Sequence, residues 1–465
     1  MRWSYRKKEK GRVGGFGRRL LPWGASLLLV IAGSRGFCQT PQTDDGVTQV
    51  PSSFGLESVS AYGMYVGSVS AGQAGGLNAD FGMGGAATLH WVSVRERSDI
   101  SLSYTAAYDG RLRYSSLDAL NHMLSFDAGY HLNQRWQLRY STAANVVNME
   151  QLLFLPNFYS QLAAVPATFD DLTNAVLQGK FNNPQLIPVV TGVQASVSPA
   201  LLLYGARTLS ASAQISLIYN LSPRTSIQLS GGAARMQELS QNDPGFGAIT
   251  PVLPETTSGS VNLSLSYSVS PRTEIGIQAG STRVISAFED AYYDQSSVFV
   301  NRTLSRRWFA SMHAGGGLIQ PVRLSTYLPV GPQYSVGGTL GFKTLSQTIF
   351  VSAERTFADV YGLGAGSSIT VSGAWNWAVP GTNWRFEASA SEARFMGGFL
   401  PGINSWQAGG GLTRILTRNT TLSAEYSYIH YNGGPNAALL AALSPSAARL
   451  VFTWTPRFGV QRASR

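Results

Sequence analysis

Apolar and polar residues alternate with a period of two along most of the chain. In Asp99–Tyr108, Ile100, Leu102, Tyr104, Ala106 and Tyr108 fall on one side, and Asp99, Ser101, Ser103 and Thr105 on the other. In Val261–Val269, Val261, Leu263, Leu265, Tyr267 and Val269 oppose Asn262, Ser264, Ser266 and Ser268. Leu209–Leu221 and Leu124–Leu132 repeat the pattern, with Ser, Gln, Asp and Gly on the polar side. Successive side chains of a strand point to opposite faces, so this pattern predicts strands with one apolar and one polar face.

The turns between these segments are also patterned. Leu132–Trp136, Leu221–Thr225, Val269–Thr273, Leu304–Trp308 and Leu416–Thr420 share Asn, Ser or Thr at the second position and Arg at the third or fourth. These residues favour tight turns. Shorter signals at Arg95–Ser98, Leu345–Thr348 and Pro380–Asn383 bring the tight turns to eight. Between them lie longer polar or Gly-rich connections such as Arg111–Leu117, Gln237–Ser258 and Gly397–Asn404. Eight short turns and nine long connections predict 18 strands with both ends on the short-turn side, or 16 if Leu56–Ser70 stays out of the sheet. From residue 222 onward the turn spacing also matches a propeller blade. A propeller needs four strands per blade and polar outer faces, whereas each unit here supplies two long strands with clean apolar rows.

Composition narrows the class. Charged residues make up 13% of the chain and aromatics 11%, the reverse of a disordered chain's balance. The formal charge of +10 suggests nucleic acid until its location is considered. Residues 1–38 hold nine of the 35 basic residues and one of the 25 acids, which leaves 26 against 24. The excess belongs to the N-terminus, so no nucleic-acid partner is expected. That terminus is basic through Arg19, then apolar from Leu20 to Gly33, a stretch too short to span a bilayer as a helix. Small Gly36 and Cys38 fit a cleavage site before Gln39, which predicts a secretory signal over 1–38. Phe37 and Arg35 argue against a lipoprotein signal, and Arg18-Arg19 reads as ordinary basic charge. The remaining chain has no Cys and offers neither disulfide nor thiol chemistry.

An exported chain with alternating strands and no long apolar helix has few solutions. In lipid a sheet must close, because no edge N–H or C=O can stay unpaired. Segments of about ten alternating residues with short turns at one end and long loops at the other are the signature of a transmembrane barrel. Tyr108, Tyr130, Trp136, Tyr219, Tyr267, Trp308, Trp384, Tyr428 and Trp454 sit where interfacial girdles would form. In the last strand, Ala448–Thr455, Leu450, Phe452 and Trp454 share a face.

On these motifs the chain resembles bacterial outer-membrane β-barrels. It is most similar to porin-like barrels with Ser-Pro-Arg-Thr turns, some of which accompany exopolysaccharide loci. The resemblance implies an all-β, single antiparallel up-and-down barrel over 55–456, with short periplasmic turns and long extracellular loops. A flexible segment at 39–54 precedes it and a tail at 457–465 follows. It implies outer-membrane lipid and the barrel-assembly machinery as partners, a polar solute or polysaccharide as cargo, and neither catalytic residues nor a cofactor.

The candidate functional surface is the inner face, since 18 strands leave a lumen too wide for side chains to fill. Alternation places Asp99, Asp127, His131, Arg139, Glu274, His313, Glu354, Arg385, Glu387, Glu425 and Arg449 there, among Ser, Thr, Gln, Asn and Gly. Six acids against three Arg predict mild cation preference, set against the plainer reading of wall-stiffening salt bridges. Ser311 and His313 share that face, but no acid stands beside them in sequence, so a barrel hydrolase is disfavoured. Glu289, Asp290 and Asp294 read as a solvated acidic loop more readily than as a Ca²⁺ site, and no metal-ligand spacing occurs.

The connection over 146–206 stands apart. It is far longer than ordinary loops and carries apolar runs at Leu152–Leu155, Leu162–Val165 and Ile187–Val190. Thr168–Asp171 reads as a capping box ahead of a short helix near 169–178. So apolar a loop is expected to narrow or cover the barrel mouth, unless it forms an extracellular cap. In its strongest form it plugs the barrel and leaves a structural or surface-interaction protein. Replacing residues 150–200 by a short Gly/Ser linker should leave the barrel folded and raise single-channel conductance several-fold. Unchanged conductance places the loop outside the channel.

Overall fold

Alternating segments become the 18 strands β1 (Ser53–Val69), β2 (Asn78–Arg95), β3 (Ser98–Arg111), β4 (Ala119–His131), β5 (Trp136–Asn148), β6 (Ala206–Ser222), β7 (Thr225–Gln241), β8 (Thr256–Ser270), β9 (Thr273–Ile285), β10 (Asp290–Thr303), β11 (Trp308–Arg323), β12 (Pro332–Lys343), β13 (Gln347–Asp359), β14 (Ala365–Ala378), β15 (Trp384–Met396), β16 (Asn404–Ile415), β17 (Thr420–Asn432) and β18 (Ser446–Trp454). This is a computed structural model. It describes residues 53–69, 78–113, 118–148, 206–241, 255–287, 289–323, 331–359, 365–396, 404–432 and 446–456. The signal segment, the helix expected near 169–178 and the C-terminal tail lie outside the described residues.

Each strand pairs antiparallel with its sequence neighbours, and β1 pairs with both β2 and β18. The seam runs from Val59 opposite Trp454 to Val66 opposite Ala447. The first strand therefore joins the sheet, and the count is 18 rather than 16. Strand ends run slightly past the alternation: β1 starts at Ser53, and β5 extends to Asn148, into the expected loop.

The tight turns have a shared cause. The side-chain oxygen of the residue opening the turn accepts the backbone N–H two residues on. Asn133 Oδ1 takes Arg135 N at 2.8 Å, and Ser222, Ser270 and Ser305 Oγ take Arg224, Arg272 and Arg307 N at 3.2 Å. Thr344, Thr382 and Thr417 act likewise. These side chains mimic a backbone turn within the segment itself. At the other end, one connection expected to be long is short: only Ser286–Glu289 separates β9 from β10. Asp290 and Asp294 therefore stand in a strand, and Glu289 is fully buried and accepts the Tyr293 hydroxyl. The acidic-loop reading is corrected. The polar outward residues of β10 had hidden its alternation.

The aliphatic rows face outward. Val261, Leu263 and Leu265 are 58%, 50% and 39% exposed, and Leu450, Phe452 and Trp454 of β18 are similarly bare. Aromatics bound the apolar rows at both ends. Trp136 stacks on Tyr219 at 4.3 Å and Trp308 packs on Phe342 at 4.7 Å at the short-turn end. Tyr65 meets Phe81, and Trp406 meets Tyr428, both at 5.0 Å, toward the long-loop end. An apolar surface this continuous, closed on itself and edged by aromatic belts, is what a bilayer covers. The charged margins are uneven. On β8 the outward row runs uncharged from Thr257 to Val269, whereas on β10 Asp294 and Arg302 bracket Ser296, Val298 and Val300.

Opposite parity gives opposite tolerance. Leu265→Arg should cost about 2–4 kcal/mol by the midplane scale for barrels, read from urea titration in lipid. Ser264→Arg, one residue away and inward, should fold nearly normally. Equal defects in both would overturn the assignment of faces.

Candidate functional site

The inner face is built by strand parity and by glycines. All eleven residues expected there lie on the face opposite the exposed aliphatic rows. Asp99 and Arg139 both oppose Gly129, Asp127 opposes Ser141, and His131 opposes Gln137. Glu274 opposes Ser268 and Asn301, and Arg385 opposes Thr413. His313 and Glu354 both oppose Gly337, Glu387 and Glu425 both oppose Gly411, and Arg449 opposes Glu425.

The glycines act as notches. A Cβ on Gly411 would stand 2.9 Å from Glu387 Oε1, so the glutamate lies across β16 toward Glu425. A Cβ on Gly337 would strike the His313 ring, and across that gap His313 Nε2 lies 3.8 Å from Glu354 Oε1. An acid thus does stand beside His313, which the sequence alone did not show. Ser311, however, donates to Asn301 Oδ1 at 2.7 Å, and Asn301 in turn donates to Glu274 at 3.2 Å. Serine and histidine are engaged separately, without the relay that a nucleophilic serine needs.

A second group crosses the barrel seam. The Tyr62 ring fills the notch at Gly84, where a Cβ would fall 2.6 Å from it, and its hydroxyl donates to Asp109 on β3. The Arg449 guanidinium carbon lies 4.0 Å from the centre of the same ring. Arg449 of β18, Tyr62 of β1 and Asp109 of β3 thereby tie the closing strands together from inside. Asp109 was legible in principle, since it continues the alternation past Tyr108. The expected alternating segment stops at Tyr108, and β3 runs on to Arg111. Asp80, buried, and Lys343 also fall on the inner face.

Acids outnumber bases on this face, most clearly at Glu354, Glu387 and Glu425 on β13, β15 and β17. Around them the wall is hydroxylic. Thr88 pairs with Thr105, Ser226 with Ser266, Ser352 with Ser372 and Thr413 with Ser423 at 2.6–3.0 Å. Such a wall offers hydrogen bonds in both directions and little net charge to a passing solute. Among the described residues no cluster of three or more His, Cys, Asp or Glu could hold a metal ion.

No family model matches the chain, and no curated protein matches it. Solved structures similar to it include Pseudomonas aeruginosa OccK3 (OpdO), at 9% identity and TM-score 0.42, covering 86% of this chain and 95% of that one. P. aeruginosa OccK2 (OpdF) in complex with glucuronate is similar at 11% identity and TM-score 0.42, covering 87% and 97%. Acinetobacter baumannii OccAB2 is similar at 11% identity and TM-score 0.44, covering 88% and 98%. The closed barrel and its inner face rest on the strand pairing above, not on these likenesses.

The notches make a testable pair. The three atoms nearest a Cβ on Gly341 would all belong to the buried Phe309 ring. Gly341→Ala should cost about 1–3 kcal/mol by overpacking in urea unfolding. In a Phe309→Ala background most of that cost should vanish, since the two residues share one space.

Proposed function

We propose that this barrel is a passive outer-membrane channel for small polar solutes or glycans, with a mild preference for cations. The observation that carries the reading is the pairing of two surfaces on one closed sheet. The outer face is an apolar band between aromatic belts, and the inner face is hydroxylic with an acidic excess. Eighteen strands about 4.8 Å apart and tilted near 40° enclose a cylinder roughly 35 Å across at the backbone. A lumen of that width is wide enough for water. The inner-face residues from Asp99 to Arg449 are then its lining, and Glu387 and Glu425 supply the charge that draws cations. An association with exopolysaccharide export belongs to this reading as a choice of cargo, and a neutral glycan suits the hydroxyl-rich wall.

A second reading, a barrel closed to solutes, has one observation in its favour. Val284, Ala291, Tyr293 and Ile319 lie on the inner face near the long-loop rim, and all are buried, with Phe357 packed among them. Apolar groups facing open water would not be.

Planar-bilayer recording separates the two. Wild-type protein in a salt gradient should conduct with a cation-selective reversal potential. Glu387→Gln with Glu425→Gln should move that potential toward zero while conductance persists. Anion selectivity in the wild type would overturn the role given to the acids. Absence of conductance in correctly folded protein would establish the closed barrel instead.

A further inference from the structure

Arginines project outward near the long-loop rim, and most are satisfied within the protein. Arg235 pairs with Glu255 at 2.6 Å, Arg283 pairs with Asp290 at 3.1 Å, and Arg207 reaches the Leu120 carbonyl at 3.2 Å. Arg355 and Arg394 differ. They share one outward row, Arg355–Ile369–Arg394, across β13, β14 and β15, so their backbones stand about 10 Å apart. Among the described residues neither forms an ion pair. Arg355 lies on Tyr334, its guanidinium carbon 3.7 Å from the ring centre, and donates to the Tyr334 hydroxyl. Arg394 is exposed. The nearest acid on this face, Glu392, is one row lower, opposite Val371 and Trp406, and makes no ion pair either.

Depth decides what such a pair meets. Arg394 opposes Asn404, the first residue of β16, one row beyond Trp406 of the aromatic belt. That is headgroup level, where long cationic side chains end. At that level a charged side chain is tolerated, and the guanidinium fork matches phosphate oxygens.

We propose that the outer face of β13–β15 binds the phosphate of an anionic lipid headgroup between Arg355 and Arg394, over Ile369. The inference rests on the barrel spanning a bilayer.

Full-length protein is reconstituted into phosphatidylcholine vesicles doped with a phosphorylated glycolipid, and vesicle flotation is checked first. Failure to float would break the membrane reading itself and not this site. Lipid retained after mild detergent extraction is then identified by native mass spectrometry. Arg355→Gln with Arg394→Gln should lower the ratio of anionic to neutral lipid retained by about thirtyfold. Arg235→Gln with Glu255→Gln should leave it unchanged, and excess inorganic phosphate should not displace the lipid. Arg394→Gln alone, at an exposed position, serves if the double variant fails to insert, with about a fivefold loss expected. An unchanged ratio in the Arg variants, or an equal loss in the Arg235/Glu255 control, overturns the site. Full displacement by inorganic phosphate overturns the lipid as its source.

Discussion

Closure is the constraint on which everything else in this protein depends. A sheet in hydrocarbon has no water to satisfy its edges, and each exposed backbone group there costs several kcal/mol. Seventeen of the pairings join strands adjacent in sequence. The eighteenth joins residues 59–66 to 447–454, nearly the whole chain apart. Local pairings form cheaply and distant ones carry a larger loop-closure cost, so the seam is the natural last step of assembly. The inside of the wall is reinforced there. Tyr62, Arg449 and Asp109 come from the first strand, the last and the third, and they interlock over a glycine that leaves the ring room to lie flat.

The glycine notches show how one rule serves both faces. Outside, alternation needs bulk to meet lipid. Inside, long polar side chains would crowd the lumen if each stood upright. Where the opposite residue is glycine, as at Gly84, Gly337, Gly341 and Gly411, the neighbour folds down across the strand instead. The lining thereby becomes a low relief of carboxylates, rings and hydroxyls. This arrangement keeps the acidic groups near the wall.

Much of this was legible in the chain. A period of two needs no partner to be recognised, and turns that cap themselves through Asn133, Ser222, Ser270, Ser305 or Thr417 announce their positions locally. Strand number, the face of the residues within the alternating segments and the closing strand followed. What was not legible depends on register between strands. Parity placed His313 and Glu354 on one face, but only the pairing of β11, β12 and β13 puts them together across Gly337. Asp109 and Arg111 were lost because β3 runs past the alternating segment that ends at Tyr108, into the connection expected from Arg111. Asp290 and Asp294 were read as loop because a strand with charged outward residues breaks the apolar alternation.

Those same outward charges on β10 bear on the bilayer. Asp294 and Arg302 are eight residues apart, about 21 Å of membrane height at a tilt near 40°. On β8 the uncharged span, Thr257 to Val269, is twelve residues or about 31 Å by the same conversion. The hydrophobic girdle is therefore asymmetric around the circumference, and an annulus of uniform thickness cannot match it. The girdle favours a thinner annulus beside β10 than beside β8, at a fraction of a kcal/mol for each ångström of mismatch. Such a girdle has the shape of a wedge, and a bilayer of uneven thickness would match it better than a uniform one.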